Sequence, residues 1–245
     1  MEKINKLEIA KMIDHSLLHP TMDDRMLKEG IALAKKYHVA SVCIKPYAVK
    51  MAAEMLRGSD VMVCTVVGFP HGNSRVDVKV FETELAIDDG AEEIDMVVNI
   101  GKVLSEDWDY VYREIQAVVE VTKRYGAALK VIFENDFLKD DLQKIRLCEI
   151  CSELDVEFVK TSTGYGFVKQ SDGSYSYKGA TEKDLVLMRR YSDNSVEVKA
   201  AGGVRTLEDT LKVRALGVTR IGATATEAIL NAVDGRKAEK SPEGY

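Results

Sequence analysis

Short continuous apolar runs alternate with amphipathic stretches along nearly the whole chain. Runs at residues 13–17, 39–43, 61–67, 93–97, 129–133, 158–160, 196–200 and 220–222 read as strands. They are mostly unbroken rather than alternating apolar and polar, as expected of parallel strands covered on both faces. The stretches 21–37, 46–56, 76–89, 107–125, 140–154, 181–191, 206–216 and 224–233 carry apolar residues at helical spacing. Thr21 and Asp24 resemble a capping box with Asp in place of Glu, and Pro46 suits a first helical turn. The amphipathic N-terminal segment predicts a short extra helix before the first strand.

Eight strands, each followed by a helix, within about 220 residues match the count and length of a (β/α)8 barrel. One such TIM-barrel domain accounts for residues 1–245, with a polar, flexible tail over about 234–245 that ends in Tyr245. A terminal phenol of this kind could fold over a site. The alternative, an open doubly wound sheet, lacks its Gly-rich fingerprint after the first strand. The one long irregular connection, residues 164–179 (GYGFVKQSDGSYSYKG), leaves the C-terminal end of the sixth strand and reads as a lid.

Composition narrows the classes. Hydrophobic residues make up 46% and charged residues 30%, enough for one large core. Forty acidic against 34 basic residues give a net charge of −6, which disfavours nucleic-acid and anionic-membrane surfaces but leaves room for a local cationic pocket. No apolar run approaches the roughly 20 residues that span a bilayer. The first residues carry acids and lack the apolar core of a signal peptide, so a cytoplasmic location is expected. Cys148 and Cys151 fall late in a helical pattern rather than opening a helix after a strand. With Cys43 and Cys64 they read as buried thiols, not a redox or metal pair.

In a barrel the chemistry sits at the C-terminal strand ends. Those positions carry Asp14, His15, Lys45, His71, Asp95, Asn99, Glu134, Lys160, Lys199 and Gly222. Lys160 and Lys199 close consecutive strands, in EFVKTSTG and VEVKAAGG. Lysine is rare in strands and almost never fully buried without a partner. A free lysine, with a pKa of about 10.4, is uncharged in only about one molecule in 2,500 at pH 7. A second ammonium roughly 5 Å away, at an effective dielectric near 20, disfavours the charged form by about 3 kcal/mol, a lowering of about two in pKa. Two such lysines therefore suit attack on a carbonyl and formation of a Schiff base, whose iminium is an electron sink. Asp95, inside the apolar run EEIDMVVN, is costly there unless paired or catalytic, and could orient a lysine or relay protons. Gly202 and Gly203 after the seventh strand, and Gly222 to Thr224 after the eighth, lie where barrels hold phosphate; Arg205 could add charge.

Seven segments make the sequence resemble the deoxyribose-phosphate aldolase family, class I Schiff-base aldolases, from about residue 13 to 230. They are IDHSLLHPT, VCTVVGFPHG, EIDMVVNIG, KVIFE, VKTSTG, VKAAGGVRT and RIGAT. The resemblance implies Lys160 as the Schiff-base lysine, Lys199 as its modulator and part of a proton relay, and Asp95 as an aid to proton transfer. It also implies Thr163, Gly164, Gly202, Gly203, Gly222 and Thr224 around substrate and phosphate. The implied reaction is reversible cleavage of 2-deoxy-D-ribose 5-phosphate to D-glyceraldehyde 3-phosphate and acetaldehyde, a catabolic step that needs no metal or organic cofactor. His19, Lys45, His71, the VIFEND ending and the longer 165–179 loop depart from the family pattern and bear on the substrate. A Schiff-base aldolase for another phosphorylated sugar and a non-catalytic sugar-phosphate-binding barrel stay open. Apolar residues beyond one stripe on the outer helices hint at a homodimer or higher homo-oligomer.

Overall fold

In the computed structural model, which describes residues 4–236, the chain opens with α1 (Lys6–Ala10), β1 (Ile13–Leu17), α2 (Asp24–Tyr37) and β2 (Ser41–Ile44). A 3₁₀ turn at Pro46–Ala48 leads into α3 (Val49–Leu56), then β3 (Met62–Val67), α4 (Val76–Asp88), β4 (Glu93–Val97), α5 (Ile100–Leu104) and α6 (Trp108–Tyr125). β5 (Ala128–Ile132), α7 (Asp141–Glu153) and β6 (Phe158–Lys160) precede the hairpin β7 (Val168–Lys169) and β8 (Tyr175–Ser176). The chain continues through α8 (Glu182–Tyr191), β9 (Glu197–Ala201), α9 (Leu207–Ala215), β10 (Arg220–Ala223) and α10 (Thr226–Val233). Eight strands close a barrel in the order β1-β10-β9-β6-β5-β4-β3-β2, every pair parallel. The (β/α)8 expectation is met, including the short N-terminal helix. Tyr245 and the tail beyond residue 236 lie outside the described residues.

The period of two along each strand sorts the side chains. Ile94 and Met96 on β4, Leu129 and Val131 on β5, Val159 on β6, Val198 and Ala200 on β9, and Ile221 on β10 face the helices in one large apolar core. The alternate positions, Asp14, Glu93, Asp95, Lys130, Lys160, Lys199 and Arg220, meet one another inside the barrel. The axis is thus charged where barrels of this type carry mostly branched apolar side chains. The runs read as uniformly apolar hide this alternation because burial covers both faces.

Local signals account for most boundaries. Asp23, not Thr21, caps α2 by accepting from the Met26 N–H, so that helix starts later than the Thr21 pattern implies. Asp107, Asp140 and Thr181 cap α6, α7 and α8, and Thr206 with Asp209 forms a capping box on α9. The sequence reading omits α5, which Asn99 caps, so that side chain is committed to a helix start. It also ends the last strand at Gly222 and starts the last helix at Thr224, whereas β10 runs to Ala223 and α10 begins only at Thr226.

Candidate active site

β6 and β9 are neighbours with Lys160 in register with Lys199, as the two matching motifs predict. Both ammonium groups donate to the same oxygen of Asp95, Oδ2, each at 2.7 Å. The carboxylate thus joins two cations whose mutual repulsion would otherwise act unrelieved. Lys199 also pairs with Asp14 Oδ2 at 2.5 Å. Lys130, two positions before the end of β5 and fully buried, donates to Glu93 Oε2 at 2.6 Å and to Asp95 Oδ1 at 3.0 Å. Arg220 closes the ring on Asp14 at 2.7 Å and Glu93 at 3.0 Å, and Ser41 donates to Asp14 Oδ1.

Three carboxylates (Asp14, Glu93, Asp95) thus face four cations (Lys130, Lys160, Lys199, Arg220), one positive charge in excess. Burial works against ionisation of each group, and the partners decide the outcome. Burial alone would raise Asp95, yet Lys130, Lys160 and Lys199 hold it well below the usual carboxylate range. Asp14 likewise overcomes burial and is lowered by Lys199, Lys130 and Arg220. Burial would lower Lys199, but Asp14 and Asp95 outweigh it and raise its pKa. Lys130 is raised well above the lysine range despite its burial, by Asp95, Cys64, Glu93 and Asp14. Lys199 therefore stays protonated.

The cations differ in how many anions hold them. Among the described residues Lys160 has one ion-pair partner, Asp95, whereas Lys199 has two, Lys130 three and Arg220 two. Its side chain keeps 4% of its surface exposed, against 0% and 1% for Lys130 and Lys199. Lys160 is thus the buried amine of the cluster held by the fewest anions.

Lys130, Glu93, Arg220 and Asp14 are the site residues that the sequence reading leaves out or merely names as a strand end. Their signal is the period-two spacing of charges, Glu93 with Asp95 on β4 and Lys130 inside β5. Cys43 and Cys64 also face inward, and with Asp95 their ligand atoms lie within 4.8 Å of one another. Three ammonium groups on Asp95 oppose a metal ion there. Cys148 and Cys151 are buried free thiols far along α7, pushed up by burial, Cys148 to about 12.

Around the mouth, Gly164, Gly202 and Gly203 take left-handed φ of 84°, 86° and 90°. Gly222 packs beside Lys199 Cε, and Thr224 is exposed in the turn before α10. Thr163 is buried and spent on Glu134: its Oγ1 donates to that carboxylate and accepts from the Tyr165 N–H. Burial pushes Glu134 up, and that hydrogen bond opposes it. Lys45 donates to the carbonyls of His19 and Met22. His15, held near pKa 4 by burial, pairs as a neutral ring with Thr226 at 2.9 Å. His71 is exposed, and the Arg205 side chain is exposed at the start of the turn before α9.

A parallel eight-stranded barrel with a buried amine–carboxylate cluster at its axis suits carbonyl chemistry. Comparison with known proteins agrees. Residues 8–231 match the model of the DeoC/LacD family aldolases. A relative from Rhodopirellula baltica named deoxyribose-phosphate aldolase is 53% identical over 91% of this chain and 88% of its own. One of the same name from Listeria monocytogenes is 45% identical over 98% of this chain and 100% of its own. Among solved structures, a putative deoxyribose-phosphate aldolase from Coccidioides immitis superposes with a TM-score of 0.86 at 32% identity, covering 96% of this chain and 88% of that one. A deoxyribose phosphate aldolase from Aeropyrum pernix, described as having a unique tetrameric structure, gives 0.83 at 26% identity over 95% of this chain and 94% of that one. The chain belongs to the DeoC/LacD family of aldolases. It is an aldolase, a carbon–carbon lyase.

Proposed function

We propose that this chain reversibly cleaves 2-deoxy-D-ribose 5-phosphate to D-glyceraldehyde 3-phosphate and acetaldehyde through an imine on Lys160. The observation that carries the reading is the single ion pair of Lys160 in a cluster with one cation in excess. The names of the relatives from Rhodopirellula baltica and Listeria monocytogenes support the substrate.

Uncharged Lys160 attacks the C1 aldehyde of the open-chain sugar, and the carbinolamine loses water to give an iminium. The C3 hydroxyl then gives up its proton as the C2–C3 bond breaks, and the bond's electrons move into an enamine on the iminium nitrogen. D-Glyceraldehyde 3-phosphate leaves. Protonation of the enamine at C2 and hydrolysis release acetaldehyde and restore the amine. Asp95, shared by Lys160 and Lys199, is placed for proton relay between them. The imine nitrogen is itself the electron sink, so the reading invokes no metal and no organic cofactor.

Gly164, Gly202 and Gly203, whose left-handed φ other residues rarely adopt, suit close approach to the phosphate, with Thr163, Gly222 and Thr224 nearby. Four free buried cysteines suit a reducing cytoplasm, and among the described residues no helix is long and apolar enough to cross a membrane. The exposed apolar stripe on α4 and the tetrameric Aeropyrum relative support a homo-oligomer.

Borohydride added with acetaldehyde tests the reading. Irreversible inactivation with added mass on the peptide bearing Lys160, absent in Lys160→Ala, is expected. An adduct confined to Lys199, or none, overturns the assignment. A second reading, a Schiff-base aldolase for another phosphorylated sugar, is favoured by the hairpin at the mouth, and kcat/KM across sugar phosphates separates the two.

A further inference from the structure

Tyr165 stands five residues beyond Lys160, yet its ring reaches the far side of the barrel. It packs edge-on against Phe69, which follows β3, with centroids 5.5 Å apart, and tilts toward His19, which follows β1, at 6.4 Å. In the barrel order β6 is separated from β1 by β9 and β10 and from β3 by β5 and β4, so the ring spans the mouth. There it covers a buried apolar cluster of Leu18, Cys43, Cys64 and Val66 that is separate from the main core. This cluster borders the reacting groups directly, because Cys64 Sγ lies 3.2 Å from Asp95 Oδ1.

The position of Tyr165 is fixed from several sides. Its N–H donates to Thr163 Oγ1 at 2.9 Å, and its carbonyl accepts from Phe167 N. A Cβ at Gly166 would stand 2.6 Å from the Glu134 carboxyl carbon, so only glycine turns the chain there without displacing Glu134. Phe167 packs edge-on against Tyr177 at 5.2 Å, and the Tyr177 ring lies on Gly202. The returning strand is tied to Asp136 by the N–H groups of Lys178 and Gly179, at 2.6 and 2.9 Å, and Ala180 N donates to the Gly202 carbonyl. The insert read from the sequence as a lid is thus a hairpin with a pinned root, and Tyr165 is a wall.

We propose that Tyr165, with Leu18, Cys43, Val66 and Phe69, forms the pocket for the α-carbon of the carbonyl donor, and that Tyr165 selects an unsubstituted two-carbon aldehyde over a hydroxylated one. The inference rests on the imine reading above. With phosphate at the glycine turn after β9, the sugar extends toward the opposite wall, and the carbon next to the imine meets apolar surface. Leu18, Val66 and the edge-on pair of Phe69 and Tyr165 present mainly apolar surface to the donor's α-carbon, and burial pushes the Tyr165 phenol up to about 12, keeping it neutral. A hydroxyl buried without a partner is disfavoured, and pockets of this kind reject one by about 100-fold.

The test measures addition of acetaldehyde and of glycolaldehyde to D-glyceraldehyde 3-phosphate in the full chain, Tyr165→Phe, Tyr165→Ala and Val66→Thr. The expected acetaldehyde preference of about 100-fold persists in Tyr165→Phe, because the ring and not the hydroxyl sets it. It falls at least about tenfold in Tyr165→Ala, which admits water and so solvates a hydroxyl. It also falls in Val66→Thr, which keeps the volume and adds a polar partner. An unchanged preference in both Tyr165→Ala and Val66→Thr overturns the proposal, as does a loss in Tyr165→Phe equal to that in Tyr165→Ala. Borohydride trapping on Lys160 in the same proteins is the separate readout: no adduct in the unmodified chain refutes the imine reading, whereas an adduct with unchanged selectivity refutes only the role of Tyr165.

Discussion

Lys160 and Lys199 donate to one and the same oxygen of Asp95, each at 2.7 Å. The sharing makes the two lysines unequal rather than equivalent. Lys199 has Asp14 as a second anion and is held protonated, while Lys160 depends on Asp95 alone. Removing the Lys199 charge would strip contacts from two carboxylates, Asp14 and Asp95, whereas Lys160 touches only Asp95. A two-cation account of these lysines therefore omits the anions that set them apart.

Asp95→Asn removes that shared anion and keeps the shape. Three ammonium groups then surround a neutral amide, and proton relay through the carboxylate is lost. A decrease in kcat of about 10² to 10⁴-fold is expected, the range for a lost acid–base group. A melting temperature lowered by several degrees should accompany it, since a buried charge left without its partner costs about 3–5 kcal/mol. Steady-state kinetics and thermal melts check both parts, and kcat within threefold of the parent would contradict the assignment.

Acid should destabilise the fold before alkali does. Asp14 and Asp95 have folded pKa values below that of an unfolded aspartate, about 3.9. Their stabilisation is complete above that value and is lost as pH falls toward the folded ones. Lys130 and Lys199 are raised, so their contribution is complete below about 10.4 and is lost only as pH climbs through the folded values. Urea midpoints should therefore drop steeply below about pH 4 and show no loss from this cluster up to about pH 10. A midpoint already falling between pH 7 and 9 through these lysines would contradict the charge assignment.

Much of this was legible in the sequence, for reasons visible in particular residues. Strand ends such as Lys160 and Lys199 stand out because lysine closing an apolar run has a high cost, and the two motifs lie on adjacent strands. Lys130 and Glu93 were harder to see: each sits inside a run whose remaining members are apolar, and only their partners across the barrel axis make sense of them. Arg220, at the start of its strand, read as a boundary. The hairpin at 168–176 escaped because Gly, Ser and Asp dominate its turn and each strand has only two residues. Thr21 matches the cap pattern, but Asp23 competes for the same helix start and wins it.

A second buried ion pair, outside the site, braces its wall. Lys79 on α4 and Glu114 on α6 meet at 2.7 Å with both side chains fully buried. Lys79 also donates to the carbonyls of Gly72 and Val97, and Glu114 accepts from Asn99 N. The pair thus ties the turn after β3, which carries Phe69, to the end of β4. Lys79→Met leaves a carboxylate buried without its cation and should destabilise the chain by about 3–5 kcal/mol. Lys79→Met with Glu114→Leu should recover part of that loss. Urea unfolding of the two variants checks the order, and a double variant less stable than the single one would contradict it.

The outer face of α4 supplies the last test. Val78, Phe81 and Leu85 are 50%, 60% and 50% exposed and recur at i, i+3 and i+7, a stripe on the side away from the core. A second copy docked antiparallel about a twofold axis sets Val78 of one copy against Leu85 of the other. The same register sets exposed Arg75 against exposed Asp88, so apolar and charged positions are both self-complementary. Phe81→Asp should shift light scattering or sedimentation from dimer or larger assembly toward monomer while the melt stays cooperative. Arg75→Asp alone should weaken association, and Arg75→Asp with Asp88→Arg should restore it, because the pair is then reversed rather than removed. Assembly unchanged in Phe81→Asp would place the interface elsewhere on the barrel, and a parent chain that sediments as a monomer would leave the stripe without a second copy to cover it.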